Sequence, residues 1–185
     1  MKKAVVFLAD GCEMVEALTP VDLLRRAGIE VLTVSINGRE SITSSHNVEI
    51  KADRMFDEHV ADHADMVILP GGMPGTLHLG EHKGVTDIVK RFHKEGKYVS
   101  AICAAPSVLA AQGILEGKKA IAYPSFEEKL TGAEVVREEV VRDGNVITSR
   151  GMGTAIPFAL ALIEALMGHE CAEKVKQDII YRDGE

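Results

Sequence analysis

Lys97-Tyr98-Val99-Ser100-Ala101-Ile102-Cys103-Ala104-Ala105-Pro106-Ser107 is the stretch that decides the fold class. An apolar, β-favouring run stops at a cysteine and passes through two alanines and a proline into the helix-like Ser107-Val108-Leu109-Ala110-Ala111-Gln112. The pattern predicts a strand, a sharp turn and a helix start. A thiol at such a turn lies at the carboxyl edge of a strand and the positive end of a helix dipole, where a thiolate is favoured and a nucleophile is reachable. The competing reading is a buried cysteine used as a small hydrophobe.

Working outward, the alternation of buried strands and helices repeats. Residues 3–8 form a continuous apolar run, as in a strand covered on both faces. After the turn Ala9-Asp10-Gly11-Cys12-Glu13, apolar residues recur at near-helical spacing from Met14 to Leu24, and Gly28 ends that helix. Pro20 predicts a kink or a fresh helix start. A second strand over 30–36 completes a strand-helix-strand unit. Residues 41–43 and 48–52 read as a small hairpin around His46-Asn47, and 54–63 as a loop with a short helix. The buried strand 66–69 stops at Pro70-Gly71-Gly72. An irregular 73–80 precedes an amphipathic helix marked by Val85, Ile88, Val89 and Phe92. Further on, 119–122 reads as a short strand, and 135–141 with 146–149 as a hairpin across Asp143-Gly144. The apolar helix 155–167 is followed by a more polar one running through Val175 to the terminus. The whole implies one α/β domain over residues 1–185, a three-layer αβα sandwich on a mostly parallel sheet, with its crevice at the strand carboxyl ends.

Composition narrows the function classes. With 28 acidic and 21 basic side chains the net charge is −7, which supplies no electrostatic footprint for nucleic acid. The apolar run after Met1-Lys2-Lys3 is too short for a signal peptide or membrane span, so the chain reads as cytoplasmic with no membrane partner. Three cysteines, Cys12, Cys103 and Cys171, lack C-x-x-C spacing, and neither a disulfide framework nor a zinc site is expected. His59 and His63 have i, i+4 spacing without a glutamate in metalloprotease register, and solvated histidines are the simpler reading.

Parallel strands send their carboxyl ends to one edge, so the loops at Gly11-Cys12-Glu13, Pro70-Gly71-Gly72, Cys103-Ala104-Ala105 and Ser149-Arg150-Gly151-Met152-Gly153-Thr154 should converge. Gly71 and Gly72 either present backbone N–H groups to an oxyanion or meet the steric need of a tight turn. Glu16 is either a buried, protonated partner for the Cys103 thiol or a solvated first-turn carboxylate. Arg150 binds a carboxylate from the protein or from a substrate, structural pairing being the simpler of the two. The 149–154 loop lacks the order of a phosphate-binding loop. Cys12 sits in a strand-end loop close to this edge, whereas Cys171 packs a terminal helix.

Taken together, Glu16 in Gly11-Cys12-Glu13-Met14-Val15-Glu16, Pro70-Gly71-Gly72, Ala101-Ile102-Cys103-Ala104-Ala105-Pro106 and Thr148-Ser149-Arg150-Gly151-Met152-Gly153-Thr154 resemble the ThiJ/PfpI superfamily, nearest to its parkinsonism-associated deglycase branch and bacterial relatives. The resemblance implies a flavodoxin-like sandwich and a homodimer, with Cys103 as the elbow nucleophile and Glu16 as its protonated partner. Backbone amides around Gly72 and Ala104 would form the oxyanion pocket. It implies cofactor-free conversion of dicarbonyls such as methylglyoxal, or of their early adducts, to hydroxy acids, with oxidative sensing or chaperone-like holding as the alternative. Two positions depart from the pattern. Ala104 stands where the peptidase branch has a histidine, which argues against a Cys-His protease or amidase. Tyr123 stands where the deglycase has a histidine near the cysteine; it can donate a hydrogen bond but is a poor base, which leaves Glu16 to move protons.

Overall fold

The computed structural model describes residues 1–182. The amino-terminal part contains β1 (Lys3–Leu8), α1 (Met14–Arg26), β2 (Glu30–Ser35), β3 (Ser41–Thr43), β4 (Glu49–Lys51), β5 (Arg54–Met55) and β6 (Met66–Leu69). Then come α2 (Gly75–Glu81), α3 (Lys83–Lys94), β7 (Tyr98–Ile102), α4 (Pro106–Ala111), β8 (Lys119–Ala120) and β9 (Glu134–Val135). The chain continues through β10 (Val140–Asp143), β11 (Val146–Ser149), α5 (Ala155–Met167) and α6 (His169–Asp178).

Seven strands form one sheet in the order β10-β11-β7-β6-β1-β2-β5. All neighbouring pairs are parallel except β10 with β11. This is the α/β sandwich expected. Continuous apolar runs follow from burial on both faces, since successive side chains point to opposite sides. Val6, Leu8, Ile68 and Ile102 pack towards Leu24, Phe158 and Leu162 of α1 and α5, with Ala172 and Val175 of α6 in the same core. Val5, Phe7, Val67, Leu69 and Val99 pack on the other side against Leu79, Val89, Phe92 and Leu109 of α2, α3 and α4. Because β1, β6, β7 and β11 run in one direction, the residues after Leu8, Leu69, Ile102 and Ser149 meet at one edge.

Several local expectations are corrected. Of the two alternatives at Pro20, the fresh start is not found: α1 continues through it as one element, with Pro20 itself buried against the core. Residues 73–80 are not irregular: α2 begins at Gly75, where a Cβ would stand 2.5 Å from the Cys12 backbone nitrogen. Only glycine allows that approach. In 54–63 there is no helix; Arg54 and Met55 instead add an edge strand to β2, and turns follow. Both residues are exposed, so no hydrophobic pattern announces the strand. The carboxyl-terminal hairpin starts at Val140, not Val135, because Glu134 and Val135 pair in parallel with Lys119 and Ala120. The hairpin β3–β4 forms as expected. α6 ends at Asp178, and the last part of the expected terminal helix, at 183–185, lies outside the described residues.

Candidate active site

Cys103 is the first residue past β7 and has φ 64°. For a non-glycine residue this left-handed conformation costs roughly 1–2 kcal/mol and persists only when neighbours hold it. Two hydrogen bonds do so. The Cys103 N–H donates to the Ser149 carbonyl at 2.9 Å, and the Tyr123 N–H donates to the Cys103 carbonyl at 2.8 Å. The strained turn lifts the thiol out of the sheet, half-buried, ahead of α4.

Glu16 reaches the same point from the first turn of α1. That helix start is fixed by Glu13, whose side chain accepts the Val15 N–H at 3.3 Å and whose own N–H donates to the Gly71 carbonyl at 2.9 Å. Glu16 is 1% exposed, which decides between its two readings: it is not a solvated carboxylate. Its Oε2 accepts the Gly71 N–H at 3.0 Å, and its carboxyl is hydrogen-bonded to the Cys103 thiol.

Burial pushes the Glu16 carboxyl up to about 7, against the pull of the hydrogen bonds with Cys103 and Gly71; the charge of Glu13 adds to the rise. Burial also pushes the Cys103 thiol up to about 12, reinforced by the facing carboxyl, while the Ala104 and Gly72 N–H groups pull it down. The thiolate expected from the helix end is therefore outweighed by burial and then by the acid that the sulfur faces. Two acids in contact resist double ionisation, so the pair is fully protonated below about 7 and keeps a single proton above it.

The two glycines separate in role. Gly71 was expected at the oxyanion pocket, but its N–H is taken by Glu16. A Cβ there would stand 2.6 Å from Glu16 Oε2 and 2.7 Å from Cys103 Cβ, so glycine lets acid and thiol meet. Gly72, at φ 87°, turns its N–H towards the sulfur together with that of Ala104. A Cβ on Gly72 would stand 2.3 Å from the Glu13 nitrogen.

Tyr123 is 50% exposed and lies beside Gly151, where a Cβ would meet its ring at 3.4 Å. With Pro124, Arg150, Met152 and Thr154 it lines an open cleft of about 390 Å³. Structural pairing of Arg150 is not found: its backbone N–H donates to the Glu139 carbonyl at 3.3 Å, but its guanidinium meets no carboxylate among the described residues. Cys12 is wholly buried, and burial pushes its thiol up to about 11; it offers the site its backbone, against Gly72, rather than a nucleophile. Cys171 packs α6 onto the core near Ala27.

Ser149 and Glu13 lie in loops expected to converge, but no role is assigned to either from the sequence. Both act through backbone or capping contacts that appear only once β11 and the 70–72 turn are placed. Among the described residues no three His, Cys, Asp or Glu side chains converge as a metal site, and no helix is long and apolar enough to cross a membrane.

Comparison with known proteins identifies relatives of the whole chain and of its fold. The chain is 41% identical over 181 residues to the DJ-1beta protein of Drosophila melanogaster, covering 97% of each, and superposes on its crystal structure with a TM-score of 0.93. An oxidized DJ-1 from Toxoplasma gondii superposes at 0.95, with 36% identity over 98% of this chain and all of that one. A protein named as a deglycase in Pyrococcus abyssi is 36% identical over 167 residues, covering 89% of this chain and 99% of the relative. Residues 2–165 match the model of the DJ-1/PfpI family, and the chain belongs to that family.

Proposed function

We propose that the protein is a cofactor-independent glyoxalase or deglycase acting on reactive dicarbonyls or their early adducts, with Cys103 as nucleophile. The observation that carries this reading is the buried Glu16 carboxyl in hydrogen-bond contact with a half-buried thiol that two backbone N–H groups also face. The Glu16 carboxylate takes the Cys103 proton, and the thiolate attacks the aldehyde carbon of methylglyoxal. The resulting oxyanion accepts hydrogen bonds from Gly72 and Ala104, then takes the proton back from Glu16 to give a hemithioacetal. Glu16 next removes the C–H proton of the former aldehyde carbon to give an enediolate, the hydroxyl proton passes from the first oxygen to the second, and Glu16 returns its proton to the neighbouring carbon. That leaves a thioester of the hydroxy acid. Water adds to the thioester carbonyl, and the thiol departs with its proton restored. Methylglyoxal plus water becomes lactate. One carbon is oxidised as its neighbour is reduced, so the balance needs no external electron carrier.

The test is incubation of purified protein with methylglyoxal in the absence of glutathione. Lactate should form with the wild type and vanish with Cys103→Ala. Lactate that persists in the variant rejects the assignment.

A second reading is a redox sensor with holdase character, supported by the protonated carboxyl available to a sulfinate oxygen at Cys103. Peroxide titration followed by intact-mass and peptide analysis separates it: a sensor gains oxygen at Cys103 before Cys12 or Cys171. An amidase or peptidase ranks below both, because Ala104 leaves the thiol without an adjacent histidine.

A further inference from the structure

We propose that Arg150 selects substrates bearing a carboxylate, so that the preferred dicarbonyls are acidic α-oxoaldehydes rather than methylglyoxal itself; this deepens the enzymatic reading above and rests on it. Strands β7 and β11 pair in parallel with Ile102 opposite Ser149. The next residues, Cys103 and Arg150, therefore leave the sheet edge side by side, at a strand spacing of about 5 Å. The bond from the Cys103 N–H to the Ser149 carbonyl keeps that register up to the thiol.

Arg150 is exposed and lines the 390 Å³ cleft with Tyr123, Pro124 and Met152. Arg137 is paired with Glu127 and Arg182 with Glu139, so those carboxylates are engaged elsewhere. The guanidinium of Arg150 meets none among the described residues. A planar fork of donors beside mainly apolar walls matches a carboxylate better than any neutral group, and its backbone is in register with that of the nucleophile. A five-carbon α-oxoaldehyde with a terminal carboxylate, 4,5-dioxopentanoate, places its aldehyde at Cys103 and its acid group in the cleft. The bond changes are those given for methylglyoxal: water is consumed, the aldehyde carbon is oxidised, the adjacent ketone is reduced, and 2-hydroxyglutarate is released.

The first test does not depend on turnover. Iodoacetate and iodoacetamide both alkylate Cys103, forming an S–C bond as iodide leaves, but only the former is an anion. The rate of modification at Cys103, read by peptide mass mapping, gives an iodoacetate-to-iodoacetamide ratio for the wild type. In Arg150→Gln that ratio should fall by about ten-fold or more, with partial recovery in Arg150→Lys, and the wild-type ratio should fall as salt is added. An equal ratio in wild type and Arg150→Gln overturns the proposal. In turnover, the kcat/KM for 4,5-dioxopentanoate relative to methylglyoxal should fall similarly in Arg150→Gln, mainly through KM. Should neither dicarbonyl react while the alkylation ratio still falls, the enzymatic reading is lost and anion selection by Arg150 stands.

Discussion

Glu16 stores both the reactivity and the instability of the site. A carboxyl raised to about 7 by burial holds its proton in the folded chain where the unfolded chain has already lost it. The folded state then binds more protons between about 4.3 and 7, so stability is fullest below the unfolded value and is lost as pH rises through the folded one. The size of the effect is up to about 3 kcal/mol. Glu16→Gln keeps an acceptor for the Gly71 N–H but cannot ionise. Its melting temperature should exceed that of the wild type at pH 8, with the gap closing below pH about 4. The wild-type Cys103 alkylation rate should rise as pH passes through about 7, and the same substitution should remove that rise. A wild-type rate flat across that range would show that the proton shared with Glu16 does not govern the thiol.

At the scale of elements, the sequence marks what is buried and misses what is held by backbone. β1, β6 and β7 are legible because each is an apolar run covered on both faces, and Cys103 is legible because such a run breaks there. β5 is invisible because Arg54 and Met55 contribute only backbone hydrogen bonding. The start of α2 is equally hidden, since Gly75 is required by contact with Cys12, which is remote in sequence. Gly71 could be flagged as a site glycine, but whether its N–H serves an oxyanion or a carboxyl depends on where α1 lands.

Asp53 illustrates a joint between elements that no local pattern announces. It accepts the Thr33 N–H at 2.9 Å, the Thr33 hydroxyl at 2.7 Å and an Arg25 N–H at 2.8 Å, tying the end of α1 to β2 just before β5. Burial works against the charge, but these donors and Arg25 hold the Asp53 carboxyl below its usual value. Its side chain is 42% exposed, so solvent screening keeps the contribution modest. Asp53→Asn should cost about 1–2 kcal/mol in urea unfolding at pH 7. The sign follows from a lowered carboxyl: its stabilisation is present above the unfolded value near 3.9 and disappears as pH falls through the folded one. The difference between wild type and Asp53→Asn should therefore shrink below pH about 3. A difference independent of pH would assign the loss to packing.

For the whole molecule, the open question is what covers the outer face of α1. Its inner face buries Ala17, Pro20, Val21 and Leu24, yet Val15 and Leu18 remain 38% and 39% exposed beside Met14 and Ile156. Burying a side chain of that size contributes about 1.5–3 kcal/mol when complete, and a symmetric contact counts each one twice. The homodimer implied by the resemblance would use this face. Each protomer carries a net charge of −7, so association must overcome like-charge repulsion. Added salt screens that repulsion while leaving apolar contact intact. Analytical ultracentrifugation at micromolar concentration should therefore give twice the 20.0 kDa protomer mass at physiological salt, with a weaker association at low salt. Leu18→Asp should return the protomer mass with an unchanged far-ultraviolet circular dichroism spectrum, because the side chain points away from the core. A wild type that sediments as a protomer at every salt concentration, or a Leu18→Asp variant that still dimerises, would remove α1 as the interface.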